Sequence, residues 1–229
     1  MAIRAAAAKT NGGLLRIIVS QRGTLSYTNR ALEEFTKSWK QNFPDLSIKD
    51  REVQNIPHLN YDELEAGRTA VAEQTPEQKK AFALANTLTE ELLSCSHLVI
   101  ATPMYNWGPP SSLKAWIDRI INCITFYGSP NLLVGLPITF IIASGGPYSI
   151  DAGVPQTMKH DYLRPALIEW FTRMGSKMED LFFVNLDPTG PIDAGRVKAD
   201  DPNNGFNRGL TKIPAAAKRL KGDSKQSEL

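Results

Sequence analysis

The sequence is poor in the residues that build metal centres and disulfide frameworks. Its 229 residues include only two cysteines and three histidines. The two cysteines, Cys95 and Cys123, match neither a metal-ligand spacing nor a disulfide pattern. The histidines have no acidic or cysteine partner at ligand spacing, so we expect no metal site. Both cysteines are expected to be reduced, which favours a cytoplasmic location.

Long apolar runs and an excess of charge of one sign are also missing. No run of 18 apolar residues occurs, so the sequence predicts no membrane span. Lysine and arginine number 26 against 24 acidic residues, a net charge of +2. This balance is too even to indicate nucleic-acid binding. Residues 1–13 lack the apolar core of a secretory signal. We expect them to be disordered or extended, with a single domain over 14–220 and a flexible tail over 221–229.

Several common motifs of nucleotide binding and hydrolysis are absent as well. The sequence has no G-x-G-x-x-G fingerprint, no P-loop ending in G-K-[ST] and no G-x-S-x-G elbow. These absences argue against a dinucleotide fold of the usual kind, a P-loop enzyme and an α/β-hydrolase. No side chain is singled out as a catalytic acid, base or nucleophile.

Apolar strands alternating with amphipathic helices are what the sequence does contain. Uninterrupted apolar runs are typical of central parallel strands that are buried on both faces. The alternation predicts a flavodoxin-like α/β sandwich of three layers: a five-stranded parallel sheet in the order 2-1-3-4-5 with helices on both faces. The predicted strands are Leu14–Ser20, Leu46–Val53, Leu98–Ala101, Leu136–Ala143 and Asp180–Val184. The predicted helices start at Thr28 and Thr75, the latter reaching about Leu93, and cover Ser112–Ile124, Lys159–Met174 and Leu210–Leu220.

Three unusual loops follow predicted strands, and in a parallel sheet they share one edge. The first loop, residues 20–28, places Ser20, Ser26, Tyr27 and Thr28 before a helix. A helix N-terminus favours an anion because its first N–H groups are unpaired and it carries a partial positive charge. A phosphate site and simple capping of the helix by Ser26 or Thr28 are equally good interpretations of this loop alone.

The second loop, residues 103–110, reads P-M-Y-N-W-G-P-P. Prolines on both sides restrict it, and Met104, Tyr105, Asn106 and Trp107 suit a flat, partly polar ring such as a flavin. The alternative is an aromatic plug of the core.

The third loop, residues 143–148, contains Ala143, Ser144, Gly145 and Gly146. Two adjacent glycines let backbone N–H groups approach a ligand closely. Such donors would suit the pyrimidine end of a flavin, where negative charge develops on reduction. An ordinary glycine turn is the alternative.

The segments SQRGTLSYTN, TPMYNWGPPSSLKAWIDRI and, less closely, ASGG resemble the FMN-dependent NADH-azoreductases, within the flavodoxin-like NAD(P)H:quinone oxidoreductases. The resemblance implies a homodimer that binds FMN without a covalent bond, with NADH or NADPH as hydride donor and a quinone or azo compound as acceptor. By position, Ser20 and Ser26-Tyr27-Thr28 would hold the phosphate. Residues 104–107 would border the ring, and residues 143–146 would lie beside its pyrimidine side.

The sequence departs from this family at Ala143 and Ser144, where serine and arginine are common, and at Trp107, where phenylalanine is usual. The loop after Phe126 is also shorter. We expect a two-electron ping-pong oxidoreductase in which the flavin, not a side chain, carries the hydride. Phe126, Tyr127, Trp170 and Phe171 are predicted to wall the substrate pocket, either of the same subunit or of a partner subunit. Two alternatives are an electron carrier of the flavodoxin type, which the net charge disfavours, and a flavin-free regulatory module.

Overall fold

A computed structural model describes residues 12–122, 131–153 and 160–220. Its centre is a five-stranded sheet in the order β2-β1-β3-β4-β5, and every pairing is parallel. The strands are β1 (Leu14–Ile18), β2 (Ile48–Glu52), β3 (His97–Pro103), β4 (Ile138–Ala143) and β5 (Leu181–Leu186). The predicted fold class and strand order are confirmed.

Helices lie on both faces of the sheet and connect successive strands. They are α1 (Tyr27–Asn42), α2 (Tyr61–Arg68), α3 (Pro76–Ala81), α4 (Ala83–Ser94), α5 (Ser111–Ile120), α6 (Leu163–Arg173), α7 (Gly190–Asp193), α8 (Gly205–Leu210) and α9 (Ile213–Ala216). Within the described ranges, no helix is both long and apolar enough to cross a membrane.

The core has two halves, one on each side of the sheet. One half contains Trp116 of α5 and Phe171 of α6 against Phe140 of β4. The other contains Phe35 and Trp39 of α1. Because β4 contributes side chains to both halves, all six of its residues are buried, which is why five of the six are apolar, Thr139 being the exception.

Of two predicted helices, one is divided in the structure and the other is shortened. The helix predicted from Thr75 to Leu93 is interrupted at Phe82, which turns inward and packs against Ala66 and Ala85. The helix predicted over Leu210–Leu220 is reduced to α9, and α8 ends where that prediction begins, at Leu210. Pro214 lies in the first turn of α9, where its missing N–H is tolerated, whereas within one continuous helix it would remove a hydrogen bond.

Two other helix boundaries were placed wrongly. The helix predicted over Ser112–Ile124 ends at Ile120. The helix predicted from Lys159 begins at Leu163, because the Asp161 carboxylate accepts the backbone N–H groups of Leu163 and Arg164 at 2.9 and 3.0 Å. Cys95 is buried, and its thiol donates to the Leu92 carbonyl at 3.2 Å. The predictions for residues 1–11, Cys123 and the tail over 221–229 lie outside the described residues.

Candidate functional site

The three predicted loops lie at the carboxyl edge of the central strands. The first loop follows β1, the second follows β3 and the third follows β4. The edge is held together by backbone hydrogen bonds: the N–H of Val19 donates to the Ala101 carbonyl at 3.2 Å and that of Met104 donates to the Ala143 carbonyl at 2.8 Å. Ala143 itself is the buried last residue of β4, so it contributes its carbonyl and not an exposed side chain.

Ser26 caps α1, and its hydroxyl accepts the N–H of Asn29 at 3.3 Å. The hydroxyl groups of Ser26 and Thr28 lie 2.9 Å apart, and both residues are buried. The N–H groups of Tyr27 and Thr28 open the helix, where no intrahelical acceptor exists for them. Capping and anion binding are therefore compatible here. The cap uses the N–H of Asn29, and the N–H groups of Tyr27 and Thr28 are left at the positive end of a 16-residue helix.

Side chains behind the first loop fix its shape. The Asn29 amide donates to the carbonyls of Ser20 and Gly23 at 3.4 and 3.0 Å. The Asn29 Oδ1 atom is buried and has no hydrogen-bond partner within the described ranges. The Ser20 hydroxyl is buried and accepts the N–H of Arg22 at 3.4 Å.

The Tyr27 phenol does not face the helix N-terminus. It donates to Asp193 Oδ1 at 2.9 Å, and the Arg30 guanidinium lies 5.5 Å from its ring centre. Burial, followed by the hydrogen bond to Asp193, raises the pKa of Tyr27 above its usual value. The Tyr27 hydroxyl is thus hydrogen-bonded to a carboxylate, so only the backbone N–H of Tyr27 is left to bind a phosphate.

The second loop forms a tight turn closed by reciprocal hydrogen bonds between Tyr105 and Gly108, at 3.1 and 3.0 Å. Asn106 and Trp107 have φ angles of 47° and 65°. Two successive positive φ angles are the pattern of a type I′ turn, and a bulky residue such as Trp107 rarely adopts one. Tyr105 and Trp107 are 47% and 54% exposed. The alternative of an aromatic core plug is therefore wrong for these two rings, whereas Met104 packs partly against the core.

The third loop turns its carbonyl groups in one direction. The carbonyls of Ser144 and Gly145 accept the N–H groups of Thr189 and Gly190 at 3.0 and 2.9 Å. In a trans peptide unit the N–H points opposite to the C=O. The N–H groups of Gly145 and Gly146 therefore point away from residues 189–190. A Cβ atom at Gly145 would meet nothing within 4 Å, so this backbone borders open space.

Residues of the second and third loops line one pocket. Met104 and Ser144 share it with Tyr148, Arg164, Asn185 and Asp187, among others. Tyr148, Asp187, Thr189 and Asp193 were not predicted from the sequence as site residues. The segment D-P-T-G directly after β5 could have indicated the last three, because a loop that follows the fifth parallel strand begins at the same edge of the sheet as the other three loops.

The predicted substrate-pocket residues are not gathered in one place within this chain. Phe171 is fully buried, with its ring centre 5.4 Å from that of Phe140. It fills the core and cannot line a pocket of this chain, so that prediction is corrected. Trp170 is half-buried and packs partly on the same core, and its role stays a prediction. Phe126 and Tyr127 lie outside the described residues.

Comparison with known proteins gives consistent results. Residues 13–200 match the Flavodoxin_2 family, described as having a flavodoxin-like fold. The chain is 32% identical over 190 residues to FMN-dependent NADH:quinone oxidoreductase 3 of Burkholderia lata, an alignment that covers 80% of this chain and 89% of the relative. It is 40% identical over 162 residues to the FMN-dependent NADH:quinone oxidoreductase of Azotobacter vinelandii, covering 67% and 79%.

Solved structures agree on the fold. The crystal structure of an azoreductase from Bacillus anthracis superimposes with a TM-score of 0.75 at 18% identity, covering 90% of this chain and 99% of that chain. An FMN-dependent NADH-azoreductase of Bacillus anthracis, in complex with FMN, gives 0.70 at 22% identity, covering 90% and 97%. From the family match and the relatives above, the chain belongs to the Flavodoxin_2 family.

Proposed function

We propose that this protein is an FMN-dependent NADH:quinone oxidoreductase. The observation that carries the proposal is the convergence of three loops at one edge of the sheet. A helix N-terminus with two buried hydroxyl groups lies at one loop, and outward N–H groups of a Gly-Gly turn lie at another. The names of the relatives support an enzyme rather than an electron carrier or a flavin-free module.

The residues of the first loop fit the phosphate of FMN. The N–H groups of Tyr27 and Thr28 supply donors, and the hydroxyls of Ser26 and Thr28 can add others. The buried Asn29 Oδ1 atom, which has no partner in the described part of the chain, is an acceptor beside this loop that suits a hydroxyl of the cofactor. No cationic side chain is needed, since the α1 dipole favours an anion at this end.

The second and third loops fit the flat ring. Met104 and the exposed ring of Trp107 offer apolar contact, and the Asn106 amide offers a directed donor and acceptor. The open space at Gly145 leaves room for the ring edge to approach the backbone. The donors at Gly145 and Gly146 would then face the pyrimidine end.

Bound FMN would supply the redox chemistry, the two-electron exchange between a nicotinamide and the second substrate. The protein's residues bind and orient the ring and exclude water from one of its faces. The N–H groups of Gly145 and Gly146 favour negative charge at the pyrimidine end because they are fixed in place before the reaction. No side chain is assigned as an acid, a base or a nucleophile.

Several finer features belong to the same proposal. We expect NADH to be preferred to NADPH as the hydride donor. We also expect azo compounds, besides quinones, to be reduced. Tyr105, Trp107 and Tyr162 expose large apolar surfaces, and the Tyr162 N–H donates to the Trp107 carbonyl at 2.8 Å. An apolar rim of this kind supports a homodimer that covers it. The scarcity of cysteine supports a cytoplasmic location.

Steady-state kinetics test the proposal. The purified protein, loaded with FMN, is assayed with NADH and benzoquinone at several fixed concentrations of each. We expect NADH oxidation that depends on both FMN and quinone, with the parallel double-reciprocal lines of a ping-pong mechanism. Absence of turnover with NADH and with NADPH, across quinone and azo acceptors, would contradict it.

A further inference from the structure

A short segment that follows β5 contacts two of the three loops. We call residues 187–193 the rim segment. Its first residue, Asp187, is 3% exposed. The Asp187 carboxylate accepts the N–H groups of Tyr148 and Ser149 at 2.6 and 2.7 Å and the Ser149 hydroxyl at 2.5 Å. One buried carboxylate thereby fixes the residues that immediately follow the Gly-Gly turn.

The middle of the rim segment holds the Gly-Gly turn directly. The Thr189 hydroxyl and N–H both donate to the Ser144 carbonyl, at 3.1 and 3.0 Å. The Gly190 N–H donates to the Gly145 carbonyl, and a Cβ atom at Gly190 would lie 2.8 Å from that carbonyl oxygen. Only glycine allows this close approach, which turns the N–H groups of the third loop toward open space.

The last residue of the rim segment reaches the first loop. Asp193 accepts the Tyr27 phenol at 2.9 Å, and Tyr27 is the first residue of α1. The segment is supported from behind by α8: Arg208 donates to the Asp187 carbonyl at 2.8 Å, and a Cβ atom at Gly205 would lie 2.3 Å from the Asp187 carbonyl carbon. The segment is therefore held between α8 and the two loops.

We propose that the rim segment sets the geometry of the cofactor site at two separate points. Asp187 is the positioning residue for the ring end, because it orients the third loop. Asp193 is the positioning residue for the phosphate end, because it holds Tyr27 at the start of α1. This inference rests on the proposed function, since it assigns the two ends to the ring and the phosphate of FMN.

The two ends can be tested separately with FMN and riboflavin, which share the ring but differ in the phosphate. Both flavins are titrated into the cofactor-free protein and binding is followed by fluorescence. Asp187→Ala should weaken both flavins by about tenfold, because the N–H groups of Tyr148 and Ser149 lose their acceptor. Asp187→Asn should recover most of this loss, because its amide oxygen can accept the same two N–H groups.

Tyr27→Phe, which removes the hydrogen bond to Asp193 without changing the charge, should weaken FMN binding about fivefold and leave riboflavin binding unchanged.

Asp45→Ala is the matched control for Asp187→Ala. Asp45 is an exposed carboxylate in the turn before β2, at the opposite end of the strands, and its loss should change neither affinity.

Local exchange gives a readout that does not require a flavin. In the cofactor-free protein, Asp187→Ala should speed hydrogen exchange over residues 144–149 and leave β4 unchanged. If this variant does not fold, Ser149→Ala removes only one of the three hydrogen bonds to Asp187 and should weaken both flavins about threefold.

Four outcomes would overturn the inference. The first two are an Asp187→Ala protein that binds both flavins within twofold of wild type, and an Asp187→Asn protein no better than the alanine variant. The third is a Tyr27→Phe protein that loses riboflavin as much as FMN. Any of these leaves the proposed function standing. The fourth, wild-type protein that binds neither flavin, overturns both proposals.

Discussion

Ser26 is the residue at which folding and binding meet most directly. Its hydroxyl caps α1 and lies beside that of Thr28, at the point where the phosphate is proposed to bind. Thr75 is a matched residue elsewhere, because its hydroxyl caps α3 by accepting the Gln78 N–H at 3.2 Å and takes no part in the three loops.

We predict that Ser26→Ala lowers the free energy of unfolding by about 1 kcal/mol, the usual cost of losing an N-cap, and also weakens FMN binding several-fold. Thr75→Ala should lower stability by a similar amount without changing the affinity for FMN. Urea unfolding and flavin titration measure the two effects. Equal affinities for FMN in the two variants would show that Ser26 is only a cap.

His97, at the amino end of β3, is fully buried away from the site. Its Nδ1 lies 2.8 Å from the Arg219 carbonyl oxygen and its Nε2 lies 2.9 Å from the Thr139 hydroxyl. A carbonyl only accepts, so Nδ1 carries the proton and Nε2 accepts from Thr139. Burial lowers the pKa of His97 to about 4, although the hydrogen bond to Arg219 acts in the opposite direction.

This lowered pKa predicts a pH dependence of stability. Between about pH 6.5 and pH 4 the unfolded chain binds a proton at this histidine and the folded chain does not. The stabilisation that depends on neutral His97 should therefore be fully present above pH 6.5. The free energy of unfolding should fall by about 3 kcal/mol as the pH drops from 6.5 to 4. Denaturant unfolding across this range measures the slope.

His97→Gln should remove about one proton from that slope. An unchanged slope in His97→Gln would mean that the acid sensitivity arises elsewhere.

At the scale of residues, the sequence was informative where a side chain contacts its neighbours in the chain. Ser26, with Thr28 beside it, could be predicted as a helix cap because a cap is adjacent to its helix in sequence. Asp187 and Asp193 could not be predicted as site residues, because their partners lie 38 and 166 residues away. Phe171 failed for a related reason: an aromatic residue in an amphipathic helix has the same pattern whether it faces a pocket or the core.

At the scale of elements, the turn of the second loop retains backbone strain. A left-handed conformation costs a residue with a side chain about 1 kcal/mol, and Trp107 adopts it at φ 65° while 54% exposed. Strain of this kind persists at functional sites when the surroundings fix the conformation. The indole ring is half-exposed and contributes little to the core, which supports its proposed contact with the flavin ring.

We predict that Trp107→Gly raises the stability of the cofactor-free protein by about 1 kcal/mol, because glycine adopts this conformation freely, and weakens FMN binding. Trp107→Ala is the control, since it removes the same ring and keeps a Cβ atom. It should weaken FMN similarly and gain less stability. Thermal unfolding without flavin checks this. Loss of stability in the glycine variant would show that the indole ring supports the fold.

A buried ion pair joins α2 to α5. Arg119 Nη1 lies 2.6 Å from Glu63 Oε1, and the Arg119 side chain is 1% exposed. Burial acts to raise the pKa of Glu63, but its hydrogen bonds with Arg119 and the Asn60 N–H outweigh this, and the pKa lies below its usual value. Lys114 and Asp118 form an exposed ion pair on the same helix, α5.

We predict that Glu63→Ala destabilises the fold by about 3 kcal/mol, because it leaves the Arg119 charge buried and without its carboxylate. Asp118→Ala should cost less than about 1 kcal/mol, as is usual for exposed pairs. Urea unfolding compares the two. Similar losses in both variants would mean that burial adds nothing to the Glu63–Arg119 pair.

At the scale of the whole molecule, the sequence predicts the sheet well. Apolar runs over β3 and β4 could only be buried strands, and right-handed crossovers left few strand orders. Element ends were less predictable. The break at Phe82 arises because the ring packs against Ala66 of α2, a tertiary contact that local periodicity does not contain. The placement of the three loops at one edge was predictable, but the rim segment that contacts two of them was not.

The central claim is that the first, second and third loops together bind one FMN molecule at the carboxyl edge of the sheet. A crystal structure of the protein grown with FMN tests it most directly. We predict electron density for the phosphate within hydrogen-bonding distance of Ser26 and Thr28, and for the ring along residues 104–107 with its pyrimidine end at Gly145 and Gly146. No flavin density at saturating FMN, or a ring bound away from these loops, would contradict the account.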